Sequence, residues 1–346
     1  MTKVLIIGAG AIGSFFGYLL SERASEDGAG SAAEEGTGAD RSDAGPRPVV
    51  EEVALLGRPG HIEAIREDGL EVTLAEKERP LSIRFSQAFA GLGEFAQSDF
   101  APEVVIVTVK TYSLPAVAKE IKESGLLAER LSDSRFVLLM NGMGNRERFD
   151  LPDNPVYEAI TSVGVVFAGE GRIELKGRGK TVFEEGIGED LERFIGARLA
   201  EKGFDAEFAQ DFQRQQWMKL FANAVINPIT ALTREKNGII LSPHLAPVVE
   251  RIVGECVAVA AKEGEGFDEP AVLEFVRKVA ESTAANTSSM LQDVLRGRET
   301  EIDAINGFVI DRARRYGVEV PGNEVVYEMV KAMEKGGRQG LTCRER

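Results

Sequence analysis

A glycine-rich turn near the start of the chain constrains the fold more than any other feature. Residues 3–7 (KVLII) form a β-branched, almost wholly apolar run, as expected for a strand buried on both faces of a parallel sheet. The motif GAGAIG follows directly and leads into the apolar, helix-compatible run 14–20. Between a strand and a helix, such glycines let the backbone approach a pyrophosphate. The pattern predicts a dinucleotide site formed by Gly8, Ala9, Gly10, Ala11, Ile12 and Gly13; a purely structural glycine turn is the alternative.

Three later apolar runs each end in a polar residue that suits the same site. Residues 53–56 end at Gly57 and Arg58, and an arginine after this strand suits the 2′-phosphate of NADP rather than the free ribose of NAD. Residues 104–109 lead to Lys110, and residues 136–140 lead to Asn141. Because ligands of open α/β sheets bind at the carboxyl ends of the strands, all three side chains are candidate cofactor contacts; an ordinary surface or turn residue is the alternative for each.

The rest of the first half predicts further sheet strands and one insertion. Residues 22–48 are rich in Gly, Ala, Ser and acid, and predict a flexible surface insertion. The Gly-punctuated runs 159–167, 172–175 and 180–183 predict additional strands, expected to be antiparallel. A helix over 191–202 and a last strand over 204–208 then lead to a domain boundary near Asp211. We therefore expect a Rossmann-type α/β domain over residues 1–210.

The second half reads as an all-α domain over residues 211–336, followed by a disordered tail over 337–346. Its most informative segment is QWMKLFANAVINPITAL, in which Lys219, Asn223 and Asn227 recur at i, i+4 and i+8 on one helix side. The other sides are apolar, so this polar stripe lines either a ligand cavity or a buried structural network. Pro228 is expected to bend or end the helix.

A second polar cluster lies further along the chain. It includes Asn286 and Ser289, which are three residues apart and could share a helix face, while Glu301 by itself reads as a solvated carboxylate. A partly buried lysine such as Lys219 can protonate a carbonyl oxygen during reduction, because burial lowers its pKa.

Composition excludes several classes of function. The 346 residues carry 41 Lys+Arg against 56 Asp+Glu, a formal net charge of −15, so nucleic acid and anionic membranes are poor partners. Two cysteines (Cys256, Cys343) and two histidines (His61, His244) lie far apart in sequence, which gives no signature of a metal site or a disulfide framework. Because no apolar run approaches the roughly 20 residues of a membrane helix and no signal peptide is evident, we expect a cytoplasmic protein.

With these motifs in view, the chain resembles the ketopantoate reductase family. The resemblance rests on GAGAIGSFFG, TVKTYS, NGMGN, KLFANAVINPITAL, NTSSMLQD, TEIDAINGF and VPGNEVVYEMVKAME, which follow the family order along nearly the whole chain. It implies NADPH-dependent reduction of 2-dehydropantoate to pantoate, on the route to pantothenate and coenzyme A. The insertion at 22–48 and the region 155–167 are the places where the chain departs from the family pattern.

The resemblance also implies roles for individual residues. Lys219 matches the catalytic lysine that protonates the ketone oxygen, and Glu301 matches a carboxylate that binds the substrate hydroxyl or the cofactor ribose. Substrate contacts are implied for Asn223, Asn227, Asn237, Asn286, Thr287, Ser288 and Ser289, with Ser289 on the substrate carboxylate. NADP contacts are implied for Gly8 to Gly13, Arg58, Lys110 and Asn141. A homodimer, a reductase of another 2-oxo acid and a non-catalytic nicotinamide-binding sensor are the further possibilities to test.

Overall fold

Strands and helices alternate in the first part of the chain, and helices alone follow. The structure is a computed structural model that describes residues 2–22, 49–77, 79–151 and 153–338. Within these ranges the strands are β1 (Val4–Ile7), β2 (Val49–Leu56), β3 (Leu70–Thr73), β4 (Leu81–Phe89), β5 (Val104–Val107), β6 (Arg135–Leu139), β7 (Val156–Thr161), β8 (Gly164–Gly169), β9 (Arg172–Gly177), β10 (Thr181–Glu184) and β11 (Ala206–Ala209). The helices are α1 (Ala11–Leu20), α2 (Pro59–Asp68), α3 (Leu92–Ala96), α4 (Leu114–Glu123), α5 (Asn145–Arg148), α6 (Glu189–Glu201), α7 (Phe212–Thr233), α8 (Ala246–Lys262), α9 (Glu269–Ser282), α10 (Ser289–Leu295), α11 (Asn306–Tyr316) and α12 (Pro321–Arg338).

The middle of the sheet has the strand order of a dinucleotide-binding fold. Among the described residues the strands form one sheet in the order β11-β10-β7-β6-β5-β1-β2-β4-β3-β9-β8. Its six central strands, from β7 to β4, are all parallel. Numbered in chain order, these six strands read 6-5-4-1-2-3, the Rossmann arrangement, in which the strand order reverses between β1 and β5. The α/β fold class predicted from the sequence is therefore confirmed.

The outer strands differ from the prediction in two ways. The single run predicted over 159–167 is two strands, β7 and β8, which lie in opposite halves of the sheet. The expected antiparallel pairing holds for β8 with β9 and β10 with β7, but β9 pairs parallel with β3 and β11 pairs parallel with β10. The strands β3 and β4 were not predicted, because their side chains are only partly buried and lack a continuous apolar run.

The parallel strands are buried on both faces, which explains why they were easy to recognise. Side chains of β1 and β5 contribute to two separate apolar clusters, one containing Ile6 and Ile106 and the other Leu5 and Val105. Successive side chains of a strand point to opposite faces, so an unbroken apolar run requires a packed layer on each side.

Helix α7 passes through Pro228 instead of ending there, so the expectation that this proline could end the helix is wrong. Proline has no N–H to donate to the carbonyl four residues earlier, which here belongs to Ala224. The fully buried Asn306 of α11 replaces that donor, since its Nδ2 donates to the Ala224 carbonyl oxygen at 3.0 Å. A distant side chain thus satisfies the carbonyl that the proline leaves open.

The described residues divide into two compact units. The first comprises the described residues within 1–140 and 148–210, and the second comprises 141–147 together with the described residues from 211 to 338. The short segment 141–147 belongs to the helical unit although it follows strand β6, which the sequence did not predict. Most of the predicted insertion lies outside the described residues. Residues 337 and 338, expected in the tail, belong to α12, while 339–346 lie outside the described residues. No helix in the described ranges has the length and apolarity needed to span a membrane.

Candidate functional site

The glycine turn between β1 and α1 is bound to the end of β2. The N–H groups of Gly8 and Ala9 both donate to the Leu56 carbonyl at 2.9 Å. Gly8 has a φ of +101°, which a residue with a side chain rarely adopts, and a Cβ on Gly13 would lie 2.3 Å from the Gly8 carbonyl oxygen. Among the described residues, a Cβ on Gly10 would meet only that oxygen, at 3.9 Å, which leaves the backbone at residue 10 open to a ligand.

The end of β5 supports the same turn. The hydroxyl of Thr108 donates to the Gly8 carbonyl at 2.8 Å, and its backbone N–H donates to the Ile7 carbonyl. The strand ends at Val107, so Lys110 lies three residues beyond it, at the start of the 3₁₀ helix Thr111–Ser113, and is half-buried. Thr108 was not identified as a site residue from the sequence. A polar residue at a strand end near a predicted glycine turn could have indicated it.

Arg58 precedes α2 and is exposed, and an aromatic and a histidine ring lie beside it. Its guanidinium carbon lies 5.7 Å from the ring centroid of Phe167 in β8, which lies 4.9 Å from the ring of His61. His61 accepts the Gly171 N–H on Nδ1 at 2.8 Å, so the neutral ring carries its proton on Nε2, 2.9 Å from the Ser14 hydroxyl. Burial, with a smaller contribution from the charge of Arg58, lowers the pKa of His61 to about 4. An uncharged histidine therefore links α1, α2 and the β8–β9 hairpin; the sequence carried no signal for this role.

In the helical unit, α7 contains the predicted polar stripe. Asn227 is buried, whereas Lys219 and Asn223 are half-buried. Burial lowers the pKa of Lys219 to about 8, and the negative charge of Glu301 partly offsets this by raising it. A lysine with such a pKa can hold a proton at neutral pH and also give it up.

Glu301 is buried, with 6% of its surface exposed, so the interpretation of this residue as a solvated carboxylate is wrong. It immediately precedes the 3₁₀ helix Ile302–Ala304, and its Oε2 accepts a hydrogen bond from Asn141 Nδ2 at 3.1 Å. Gly142 packs against this turn so closely that a Cβ would lie 2.3 Å from the Ala304 carbonyl oxygen. The segment 141–147 therefore brings Asn141 to Glu301, 160 residues away in sequence.

Asn237 lies next to the backbone of the 286–289 stretch. Its N–H donates to the Asn286 carbonyl at 3.0 Å, and its Nδ2 donates to the Thr283 hydroxyl. The Oδ1 of Asn237 is buried and accepts no hydrogen bond within the described part of the chain. An unsatisfied buried carbonyl oxygen at a predicted substrate contact can accept a hydrogen bond from a ligand hydroxyl.

The stretch from Asn286 to Ser289 is not a single helix, so the expected shared helix face of Asn286 and Ser289 is wrong. Helix α10 begins at Ser289, and Ser288 caps it by accepting the Leu291 N–H at 3.1 Å. The Ser288 hydroxyl also lies 2.7 Å from that of Thr230 and is buried. Thr287 is half-buried, whereas Asn286 and Ser289 are exposed and available to a ligand.

Comparison with known proteins identifies the family. The model described as "Ketopantoate reductase PanE/ApbA" matches residues 46–188, and its carboxyl-terminal counterpart matches residues 211–334. Together they cover well over half of the chain. The chain belongs to the ketopantoate reductase family. The family predicted from the sequence motifs is confirmed.

Individual members of the ketopantoate reductase family resemble the chain over nearly its full length. The 2-dehydropantoate 2-reductase of Pyrococcus horikoshii is 32% identical to this chain, and the match covers 97% of this chain and 98% of the relative's length. A crystal structure of the ketopantoate reductase from Ralstonia eutropha JMP134 is 26% identical, covers 97% of this chain and 100% of its own, and has a TM-score of 0.79. A D-mandelate dehydrogenase solved with NADH and anilino(oxo)acetate, 23% identical with the same coverage of both chains, shares the fold at a TM-score of 0.77.

Proposed function

We propose that this protein is an NADPH-dependent 2-dehydropantoate 2-reductase, which forms pantoate for pantothenate and coenzyme A biosynthesis. The observation that carries the proposal is Lys219, whose pKa of about 8 reflects both its burial and the negative charge of Glu301. Membership of the ketopantoate reductase family and the relatives named 2-dehydropantoate 2-reductase support the choice of substrate.

The residues of the first unit fit a nicotinamide dinucleotide. The open backbone at Gly10 leaves room for a pyrophosphate, and the amino terminus of α1 has no side-chain cap that would compete for its N–H groups. Arg58 follows the second parallel strand, where a 2′-phosphate lies in NADP sites, and Lys110 supplies a second positive charge near the turn. These two cations favour NADPH over NADH.

The residues of the second unit fit a polar, negatively charged substrate. The side-chain amides of Asn223, Asn227 and Asn237 can bind hydroxyl groups without adding charge. Asn286 adds a further amide, and Thr287 adds a hydroxyl. The Ser288 hydroxyl already has two partners, so Ser289 is the better candidate to bind the substrate carboxylate.

The reaction adds a hydride and a proton across the carbonyl group of the substrate. The hydride for the ketone carbon would come from the nicotinamide of NADPH when it is bound. Lys219 Nζ then donates a proton to the ketone oxygen, which becomes negatively charged as the hydride arrives. With a pKa of about 8, Lys219 remains about nine-tenths protonated at pH 7 and is a stronger acid than an ordinary lysine. Glu301 keeps that proton in place electrostatically and accepts a hydrogen bond from the substrate hydroxyl or the cofactor ribose.

Initial rates with 2-dehydropantoate, measured first with NADPH and then with NADH, test substrate and cofactor together. We expect 2-dehydropantoate to be reduced with either cofactor, with a clear preference for NADPH over NADH. Turnover only with another 2-oxo acid from a panel would move the function to that acid. Stoichiometric NADPH binding without turnover on the whole panel would indicate a sensor instead.

The variant Lys219→Ala tests the proposed acid directly. Loss of a positioned general acid typically costs about 10²- to 10⁴-fold in rate, so kcat should fall by that much while NADPH binding, measured by fluorescence titration, is retained. Lys262→Ala, at an exposed position of α8, is the control and should leave kcat unchanged. Near-normal turnover of the Lys219 variant would remove this residue from the mechanism.

The homodimer and the cytoplasmic location expected from the sequence remain part of this proposal. Sedimentation equilibrium on the full chain measures the first, and cell fractionation measures the second.

A further inference from the structure

One face of α12 presents three polar side chains toward the turn that carries Glu301, residues 300–304. Tyr327, Lys331 and Glu334 follow one another at i, i+4 and i+7, a spacing that places them on the same side of a helix. None of the roles assigned above involves them. All three make hydrogen bonds either to Thr300, which directly precedes Glu301, or to Asp303, which lies in the 3₁₀ helix that follows Glu301.

These bonds hold the turn on both sides of Glu301. On the amino-terminal side, the N–H of Thr300 donates to Glu334 Oε1 at 2.7 Å. On the carboxyl-terminal side, both carboxylate oxygens of Asp303 are bound: Oδ1 by the Tyr327 hydroxyl at 2.7 Å and Oδ2 by Lys331 Nζ at 2.9 Å. Lys331 also lies 3.2 Å from Glu334 Oε2, so one lysine joins the two attachment points.

The same turn also holds the segment that contains Asn141, the hydrogen-bond donor to Glu301. The Ala304 carbonyl accepts the Met143 N–H at 2.9 Å, and Gly142 packs directly against it. This contact holds the segment from which Asn141 donates to Glu301. A displacement of the turn would therefore move both the Glu301 carboxylate and its hydrogen-bond donor.

The attachment keeps its protonation state while Lys219 titrates. Burial and the hydrogen bond to Asp303 raise the pKa of Tyr327 to about 12. Burial by itself would lower the pKa of Lys331, but the hydrogen bonds and charges of Asp303 and Glu334 raise it above its ordinary value. Both donors thus keep their protons through the pH range around 8 in which Lys219 loses its own.

We propose that Tyr327 and Lys331 are positioning residues for the reductase reaction, which act through Asp303 to hold the Glu301 carboxylate in place for its electrostatic interaction with Lys219. This inference rests on the proposed function for its catalytic readout. A purely structural attachment would affect stability alone, whereas a positioning role predicts a change in the titration of Lys219.

The first experiment measures kcat against pH for Lys331→Met, with Lys331→Arg as the conservative variant and Lys335→Met as the control at an exposed position of the same helix. Methionine keeps the length and apolar part of the side chain but removes the charge. Since small displacements of catalytic groups are costly, we expect kcat to fall on the order of tenfold. We expect the basic limb of the profile to move to lower pH, because a displaced Glu301 no longer raises the Lys219 pKa. Arginine should restore most of both, and Lys335→Met should match the wild type.

The direction of the shift separates positioning from a direct effect of charge. Removing the positive charge of Lys331 would by itself stabilise protonated Lys219 and move the limb to higher pH. Tyr327→Phe changes no charge, removes one bond to Asp303, and should also move the limb to lower pH. An unchanged or upward-shifted limb in both variants would overturn the proposal.

A second measurement does not depend on turnover. The rate at which an amine-reactive reagent labels Lys219, followed by peptide mass spectrometry across pH, reports its pKa directly. A lower Lys219 pKa in Lys331→Met and Tyr327→Phe supports the positioning role even if the wild type does not reduce 2-dehydropantoate, an outcome that would refute only the proposed function. Equal labelling profiles in all variants would refute the positioning role.

Discussion

The replacement Glu301→Gln isolates the charge that Lys219 experiences. Glutamine has nearly the same shape as glutamate, and its carbonyl oxygen can still accept the hydrogen bond that Asn141 Nδ2 donates to Glu301 at 3.1 Å. The substitution therefore removes one negative charge while retaining this contact. Because that charge raises the pKa of Lys219, its loss lets burial lower the pKa further below about 8.

The size of the effect follows from general experience with neighbouring charges. A nearby opposite charge shifts a pKa by about 1–3 units, so we take on the order of one unit as the smallest expected change. With the pKa near 7 instead of 8, the protonated fraction of Lys219 at pH 8 falls from about a half to about a tenth. The basic limb of the kcat profile then moves down by about one pH unit. Any direct loss of substrate binding lowers the whole curve without moving the limb.

Steady-state assays with saturating NADPH and 2-dehydropantoate between pH 6 and 10 measure both effects separately. A limb at the wild-type position, or one shifted to higher pH, would show that Glu301 does not set the protonation of Lys219. The inferred role of α12 adds a stricter check. Because Lys331 is proposed to act through Glu301, adding Lys331→Met to Glu301→Gln should move the limb no further.

Two more predictions concern the first unit. Arg58→Ala should raise the KM for NADPH about tenfold or more while leaving the KM for NADH nearly unchanged, since only NADPH carries the 2′-phosphate. An equal rise for both cofactors in steady-state assays would argue against binding of the 2′-phosphate by Arg58. Buried His61 has a pKa of about 4 against an ordinary 6.5, so the unfolded chain binds more protons between these values and stability falls as the pH drops through this window. Urea unfolding should show a loss of about 2 kcal/mol between pH 7 and 5 that is absent in His61→Gln, and identical pH dependence of the two proteins would contradict the buried neutral histidine.

Local sequence was sufficient for the elements whose pattern depends on their own burial. The apolar runs of β1 and β5 and the glycine turn before α1 could be recognised because each records a local requirement. The polar stripe of α7 was recognisable for the same reason, since its spacing matches the helical repeat. The partners of β8 and β9 could not be predicted, because strand pairing depends on residues far away in sequence.

The candidate site shows the same division. Its residue types, a lysine with asparagines at helical spacing and a glycine turn at a strand end, follow from the sequence. The burial of Glu301 and its hydrogen bond from Asn141 do not, because the sequence of a charged stretch does not show which of its carboxylates the fold will bury.

The Rossmann-type sheet, the helical second half and the family could be predicted from short stretches of sequence, because periodic burial and glycine conformations are properties of short segments. Three other features are visible only in the folded chain: Asn306 completes α7 at Pro228, segment 141–147 joins the helical unit, and α12 holds the turn of Glu301. Each of these depends on a polar group whose partner lies far away in the chain. Buried polar groups must find such partners, but sequence spacing does not reveal which group will supply them.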